Sequence, residues 1–225
     1  MKNTLVIIPA RSGSKGIKNK NIKLLNGIPL IEYSLNFALK YFSKSRICIS
    51  TDSQKIIKLL SKKIDIPFIR PDHLSNDYAS MSDVISHAAS FYRKIIKFDK
   101  ILLLQPTSPI REELDLLNMY DCFEKSIDMV ISVCESKISP EFNLYKDTGN
   151  EFIEKLSNRS ITRRQDSKKY YYANGSMYLI NAINDKIDLS KLKNIKKIVM
   201  DPLRSIDIDD DFDWEIAKMI IKKNE

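Results

Sequence analysis

Residues 5–21 read LVIIPARSGSKGIKNKN, and the fold follows from how this stretch is divided. Leu5–Pro9 is an apolar run of the length and β-branched content of a buried strand. It passes straight into a short loop holding two glycines, two serines, one arginine and three lysines. A strand that ends in a basic Gly/Ser turn can wrap polyphosphate, because backbone N–H groups point into one concavity while cationic side chains neutralise charge. Gly13 and Gly16 would permit the tight backbone, and Arg11, Lys15 and Lys20 would supply the charge. The spacing is neither G-x-x-x-x-G-K-[ST] nor G-x-G-x-x-G, so no kinase-type or dinucleotide label attaches to it. By composition alone the same loop also fits an ordinary solvated turn.

Working outward, short apolar runs alternate with amphipathic ones as far as residue 135. Strands are expected at Thr4–Pro9, Arg46–Ser50, Ile66–Ile69, Ile101–Leu104 and Met129–Cys134. Helices are expected at Pro29–Phe42, Gln54–Lys63, Ser80–Lys97 and Glu112–Lys125, with Asp52 or Ser53 capping the second. This rhythm predicts an α/β fold: three layers, a mostly parallel sheet with helices on both faces. Ligands in such sheets gather beyond the carboxyl ends of the strands. The basic loop, 50–53, Arg70-Pro71 and 105–108 all fall at strand ends, so four polar loops converge on one rim.

Between about 136 and 172 the pattern changes to a small β-rich excursion: two short strands about Asp147-Thr148-Gly149-Asn150, then a basic segment and Tyr170–Tyr172. Ser176–Ile180 and Lys197–Met200 return to strand character, and Asp211–Lys222 closes the chain as a helix. The 225 residues suit one domain spanning 1–225, with 43% hydrophobic and 29% charged residues, ordinary for a globular protein. No apolar run reaches the roughly 18 residues that would span a bilayer. The N-terminal strand is too short and too polar-bounded for a signal peptide, so a cytoplasmic protein with no membrane partner is expected. Three widely spaced cysteines, Cys48, Cys122 and Cys134, read as free thiols. The net charge of +8 is scattered over lysine pairs rather than gathered in a stripe. It suits small anionic substrates better than nucleic acid, and no nucleic-acid partner is expected.

Near the C-terminus, Ile206-Asp207-Ile208-Asp209-Asp210-Asp211 and Asp213 form an acidic pole. Were this a strand, Asp207 and Asp209 would share a face, and paired carboxylates opposite a polyphosphate loop suit Mg²⁺. Asp210, Asp211 and Asp213 read instead as a helix cap with acidic first-turn residues. Neither His73 nor His87 sits in a ligand cluster, and no nucleophile elbow is present. Gln105 in QPTSP could offer an amide to a polyhydroxylated ligand or could open a rigid proline turn. Asn174-Gly175 could be a turn alone, or could bring an amide and Tyr178 to the rim.

The segments IIPARSGSKGIKNKNI, NGIPLIEYSL, ISTDS, FIRPDHLSND, DVISHA, LLLQPTSPIR, RRQD, ANGSMYLI and SIDIDDDFDWEIA together resemble the acylneuraminate cytidylyltransferase family. Members make CMP-sialic acid and its relatives. The resemblance implies a nucleotide-diphospho-sugar transferase-like fold and transfer of CMP from CTP to the anomeric hydroxyl of a nonulosonic acid, with pyrophosphate released and Mg²⁺ as cofactor. It implies that Ala10, Arg11, Ser14, Lys15, Lys20 and Asn21 hold the nucleotide, with Arg70 and Ser80 or Ser82 near the cytosine. Arg11, Lys15, Asp207 and Asp209 would be catalytic, the two aspartates as metal ligands. Gln105, Arg164, Asn174 and Tyr178 would touch the sugar. It also implies a homodimer in which the excursion reaches the partner's site. Tyr172 stands where some members carry an arginine, which leaves the particular sugar open. Kdo cytidylyltransferases share the opening strand but usually carry a different loop and lack QPTSP. A nucleotide-sugar glycosyltransferase, the rival enzyme, would place its D-x-D after a mid-chain strand.

Overall fold

The computed structural model describes residues 1, 3–13, 16–157, 159, 161, 163–183 and 187–223. Its strands and helices run β1 (Thr4–Pro9), β2 (Leu24–Leu25), β3 (Ile28–Pro29), α1 (Leu30–Tyr41), β4 (Ile47–Ser50), α2 (Gln54–Leu60), α3 (Met81–Tyr92), β5 (Lys100–Leu104), α4 (Glu113–Asp121), β6 (Met129–Glu135), β7 (Tyr145–Gly149), β8 (Phe152–Lys155), β9 (Tyr171–Asn181), β10 (Ile195–Val199) and α5 (Asp211–Lys223). Six strands form one sheet in the order β10-β6-β9-β5-β1-β4. β1 pairs in parallel with β4 and β5, and β10 with β6, while β9 runs antiparallel between β5 and β6.

Alternation along the strands divides the core into two layers. Val6 and Ile8 face α1, α2 and α4 through Ile31, Leu35, Ile56, Leu60, Leu116 and Met119. Leu5 and Ile7 face α3 through Ile85, Ala88, Ala89 and Tyr92. Helices therefore cover both faces, as the alternating pattern requires. A third, smaller cluster joins the two ends of the chain. Ile17 from the basic loop, Leu25 and Leu30 pack with Ile208, Trp214 and Ala217. Full burial of a side chain such as Ile208 is worth about 1.5–3 kcal/mol, which here holds the late aspartates against the N-terminal loop.

Three expectations are corrected. Residues 66–69 form no strand: Pro67 removes a ladder donor, and Arg70 bonds instead through its N–H to the Thr51 carbonyl at 2.8 Å. β9 is longer than expected and starts at Tyr171, so part of the tyrosine run belongs to the main sheet rather than to the excursion. The segment carrying Asp207 and Asp209 is also not a strand. The Ile208 N–H reaches the Thr107 carbonyl at 2.8 Å, but the Ile208 carbonyl takes the Lys20 ammonium at 2.5 Å in place of a ladder partner. The excursion's hairpin, β7 with β8, matches the expected strands about Gly149 and Asn150, both with positive φ.

Candidate active site

At the carboxyl ends of β1, β4 and β5 lies a cavity of roughly 340 Å³, lined by Arg11, Gly16, Lys20, Asn21, Arg70 and Asp209 among others. Sequence-distant loops reach it by specific contacts. Ala10 is buried and donates its N–H to the Ser50 carbonyl at 2.9 Å, which fixes where the chain leaves β1. Asn21 Nδ2 donates to the Arg11 carbonyl at 3.1 Å and closes the loop on itself. Asp52 accepts from the Ser12 N–H at 2.9 Å and from the Ser12 hydroxyl. Ser53, not Asp52, caps α2 by accepting from the Ile56 N–H. Arg11 pairs with Asp77 at 2.6 Å. Lys20 Nζ lies 3.2 Å from Asp209 Oδ1, and Lys20 is itself buried.

Gly16 explains the close approach of loop and acidic segment. A Cβ there would stand 2.0 Å from the Asp209 carbonyl oxygen, so only glycine lets the two backbones touch. Gly13 has open space around it and carries no such constraint. Ser14 and Lys15 lie outside the described residues.

Arg70 is the most heavily buried cation of the cavity wall, 4% exposed, and its Nε and Nη2 have no hydrogen-bond partner. Burial lowers its pKa; Asp52, 3.7 Å away, opposes that shift, and Arg11 adds to it. A buried guanidinium with unpaired donors costs free energy unless a ligand accepts from it. Both atoms are themselves shielded from solvent and Nη2 faces Asp52, so a ligand would meet Arg70 only through the part of its side chain that lines the cavity. Ser80 and Ser82 are engaged elsewhere. Ser80 caps α3, accepting from the Asp83 N–H, and Ser82 accepts from the Leu189 N–H. Met81, between them, lines the cavity; nothing in its sequence context marks it as a site residue.

The other side of the rim is built on a bulge. Four residues, 174–177, stand opposite Ser132 alone, and Gly175 takes φ +73°. Ser132 Oγ donates to Asn174 Oδ1 and accepts from the Met177 N–H. Asn174 is buried, and its amide also donates to Ser205 Oγ at 2.9 Å and accepts from the Ser176 N–H. In this conformation it anchors the bulge and holds no amide free for a ligand. Ser108 Oγ contacts both the Asn174 carbonyl at 3.1 Å and Asp207 Oδ1 at 3.3 Å. A Cβ on Gly175 would meet Asp207 Oδ2 and Gln105 Oε1, each at 3.1 Å. Tyr178 has its pKa raised by burial and then by the nearby Asp207. Gln105 lines the cavity. Arg164 opens the short turn Arg164–Asp166; its side chain is outside the description.

Asp210 Oδ1 accepts from the Phe212 and Asp213 N–H groups, while Asp213 Oδ2 accepts from those of Asp209 and Asp210. These are capping interactions, as expected, and Asp211 pairs with Lys23. Asp207 and Asp209 are left as hard oxygen donors, and among the described residues no set of three or more His, Cys, Asp or Glu side chains forms a protein-only metal cage. Without a strand the shared face expected for them is lost: Asp207 lies at Ser108 and the Gly175 bulge, and Asp209 at Lys20. Carboxylate oxygens of this kind fit Mg²⁺, which commonly completes its shell with water and substrate phosphate.

A mostly parallel sheet with a cationic loop and acidic residues at its carboxyl rim is the frame of a nucleotide-handling transferase. The sequence profile described as Cytidylyltransferase matches residues 5–209, and the chain belongs to that family of nucleotidyltransferases. It is 30% identical to the pseudaminic acid cytidylyltransferase of Campylobacter jejuni, over 100% of this chain and 98% of that one. It is 29% identical to the CMP-N,N'-diacetyllegionaminic acid synthase of Legionella pneumophila, over 98% and 97%. The fold matches CMP:2-keto-3-deoxy-manno-octonic acid synthetase complexed with CTP, at TM-score 0.68 and 15% identity over 100% of both chains.

Proposed function

We propose that this protein joins CMP from CTP to the anomeric hydroxyl of a nonulosonic acid and releases pyrophosphate. The observation that carries the proposal is the single cavity in which Arg11, Lys20, Arg70, Gln105 and Asp209 meet. Relatives of nearly the same length that are named for pseudaminic and legionaminic acids support the sugar class. Arg70, buried in the cavity wall, flanks the base, and Arg11, Lys20 and Lys15 neutralise the triphosphate. Gln105 and Tyr178 orient the acid sugar so that its hydroxyl attacks the α-phosphorus in line. Alignment and charge stabilisation suffice, with no covalent intermediate. Mg²⁺ held by Asp207 and Asp209 would supply charge stabilisation on phosphate oxygens and acidify the attacking hydroxyl.

The protein is further proposed to work as a cytoplasmic homodimer. The free cysteines suit a reducing compartment. The hairpin exposes Phe152 and Ile153, apolar side chains that a second copy would cover. The test is pyrophosphate release from CTP with a panel of nonulosonic acids, in Mg²⁺ or EDTA. Release that needs both acid and metal supports the reading. Release of free nucleotide from a nucleotide sugar would instead identify a glycosyltransferase.

A further inference from the structure

Arg111 closes the LLLQPTSPIR segment, and it is not among the residues lining the cavity. Its guanidinium nevertheless ties three elements of the rim together. Nη2 donates to the Gln105 carbonyl at 2.5 Å and to the Ser176 carbonyl at 2.9 Å; Nε also reaches the latter at 3.3 Å. Nη1 donates to Ser34 Oγ on α1 at 3.0 Å. Burial disfavours its charge, and the nearby carboxylates of Asp207 and Asp115 favour it. The groups it holds are the end of β5 and the bulge of β9. Across these, Gln105 Oε1 and Asp207 Oδ2 both crowd Gly175. The CTP-side contacts of Arg11, Asn21 and Asp52 involve none of these bonds.

We propose that Arg111 is a positioning residue for the acid-sugar half of the site, fixing Gln105 and the Gly175 bulge relative to Asp207 through its forked hydrogen bonds. This rests on the reading of Gln105 as a sugar-side group. A lysine keeps the charge but lacks the planar fork that bridges two carbonyls and a hydroxyl. A displacement of about 1 Å at such a site can cost ~100-fold in rate.

The experiment compares Arg111→Met and Arg111→Lys with the wild type in steady-state turnover, CTP binding without sugar, and amide hydrogen exchange. In Arg111→Met, the KM for the acid sugar should rise about tenfold or more while the Kd for CTP stays within about twofold, a split expected when only one half of the site is displaced. Arg111→Lys should recover part of that loss. Exchange should quicken at 174–177 and stay unchanged at 6–8. Equal losses for both substrates, or unaltered exchange at 174–177, would overturn the proposal. A wild-type protein that turns over no acid sugar would defeat the activity reading alone, and the exchange comparison would still decide the role of Arg111.

Discussion

Gly16 and the carbonyl of Asp209 touch so closely that a single added carbon would overlap: the Cβ would sit 2.0 Å from the oxygen. This contact joins the start of the chain to its acidic end, and Lys20 reinforces it by bonding the Ile208 carbonyl and the Asp209 carboxylate. Gly16→Ala must push the two backbones apart, because every atom the new Cβ would meet, in Asp209 and Asp210, is backbone. Overpacking of this kind costs on the order of 1–3 kcal/mol. The larger effect falls on catalysis, since a shift near 1 Å can lower the rate about 100-fold. Cytidylyl transfer should drop by that order while the protein still melts cooperatively; near-normal kcat/KM would show that the loop and Asp209 need not touch.

Asp209 and Asp207 differ in surroundings, so their amides should behave differently. The Asp209 side chain is 79% exposed and meets Lys20, whereas Asp207 is held by Ser108 beside the Gly175 bulge. Asp209→Asn removes the carboxylate that meets the buried Lys20 ammonium, which keeps the Ile208 carbonyl, and should cost on the order of 1 kcal/mol. Both Asp207→Asn and Asp209→Asn should reduce turnover by roughly 100-fold or more, the usual scale for lost electrostatic stabilisation. EDTA should abolish turnover in the wild type. Titrating Mg²⁺ back into each variant checks the assignment: an unchanged metal requirement in both would remove the aspartates from the metal site.

The alternating pattern up to residue 135 made both helix layers readable, because β1's apolar run and the 3.6-residue stripes of α1 and α3 carry their own burial signal. The loop, Arg70 and Gln105 were legible as residue types at strand ends, whereas the aspartates were legible only as an acidic pole and were expected in a strand that does not form. What was hidden is long-range. Nothing in SMYLI announces that β9 slips antiparallel between β5 and β6, since a fully buried strand has the same composition in either direction. Asp52 and Ser53 read as alternative helix caps because Asp and Ser are both good caps; only the fold shows that Ser53 takes α2 and leaves Asp52 for Ser12. Met81 gave no sign at all, as a methionine in a helix reads as packing.

Asp52 couples the loop to the buried arginine. It holds Ser12 through the main chain and the hydroxyl, and its carboxylate lies 3.7 Å from the Arg70 guanidinium. In Asp52→Asn one acceptor survives, but a buried cation loses its counter-charge. Removing such a partner should destabilise by about 1–3 kcal/mol. The KM for CTP should rise about tenfold, the scale of roughly 1.4 kcal/mol in binding, with the acid-sugar KM little changed. Denaturant melts and separate titrations of the two substrates test this. A variant that weakened only the acid sugar would place Asp52 outside the nucleotide half.

His87 gives the protein a pH dependence of stability near neutrality. Its pKa is lowered, first by burial and then by the nearby positive charges of His73 and Arg70, and its Nδ1 is buried without a hydrogen-bond partner. It packs edge-on to Phe68 with ring centroids 5.0 Å apart. A histidine whose folded pKa is depressed binds its proton more readily in the unfolded chain, so stability rises with pH through this region. The contribution is fully present above the unfolded value of about 6.5 and is lost as pH falls through it toward the folded value. Melting temperatures should therefore fall between about pH 7 and pH 5.5, in a window above the carboxylate range near pH 4. His87→Gln should flatten that slope while leaving the decline near pH 4 in place. An unchanged slope in His87→Gln would assign the acid sensitivity to another group.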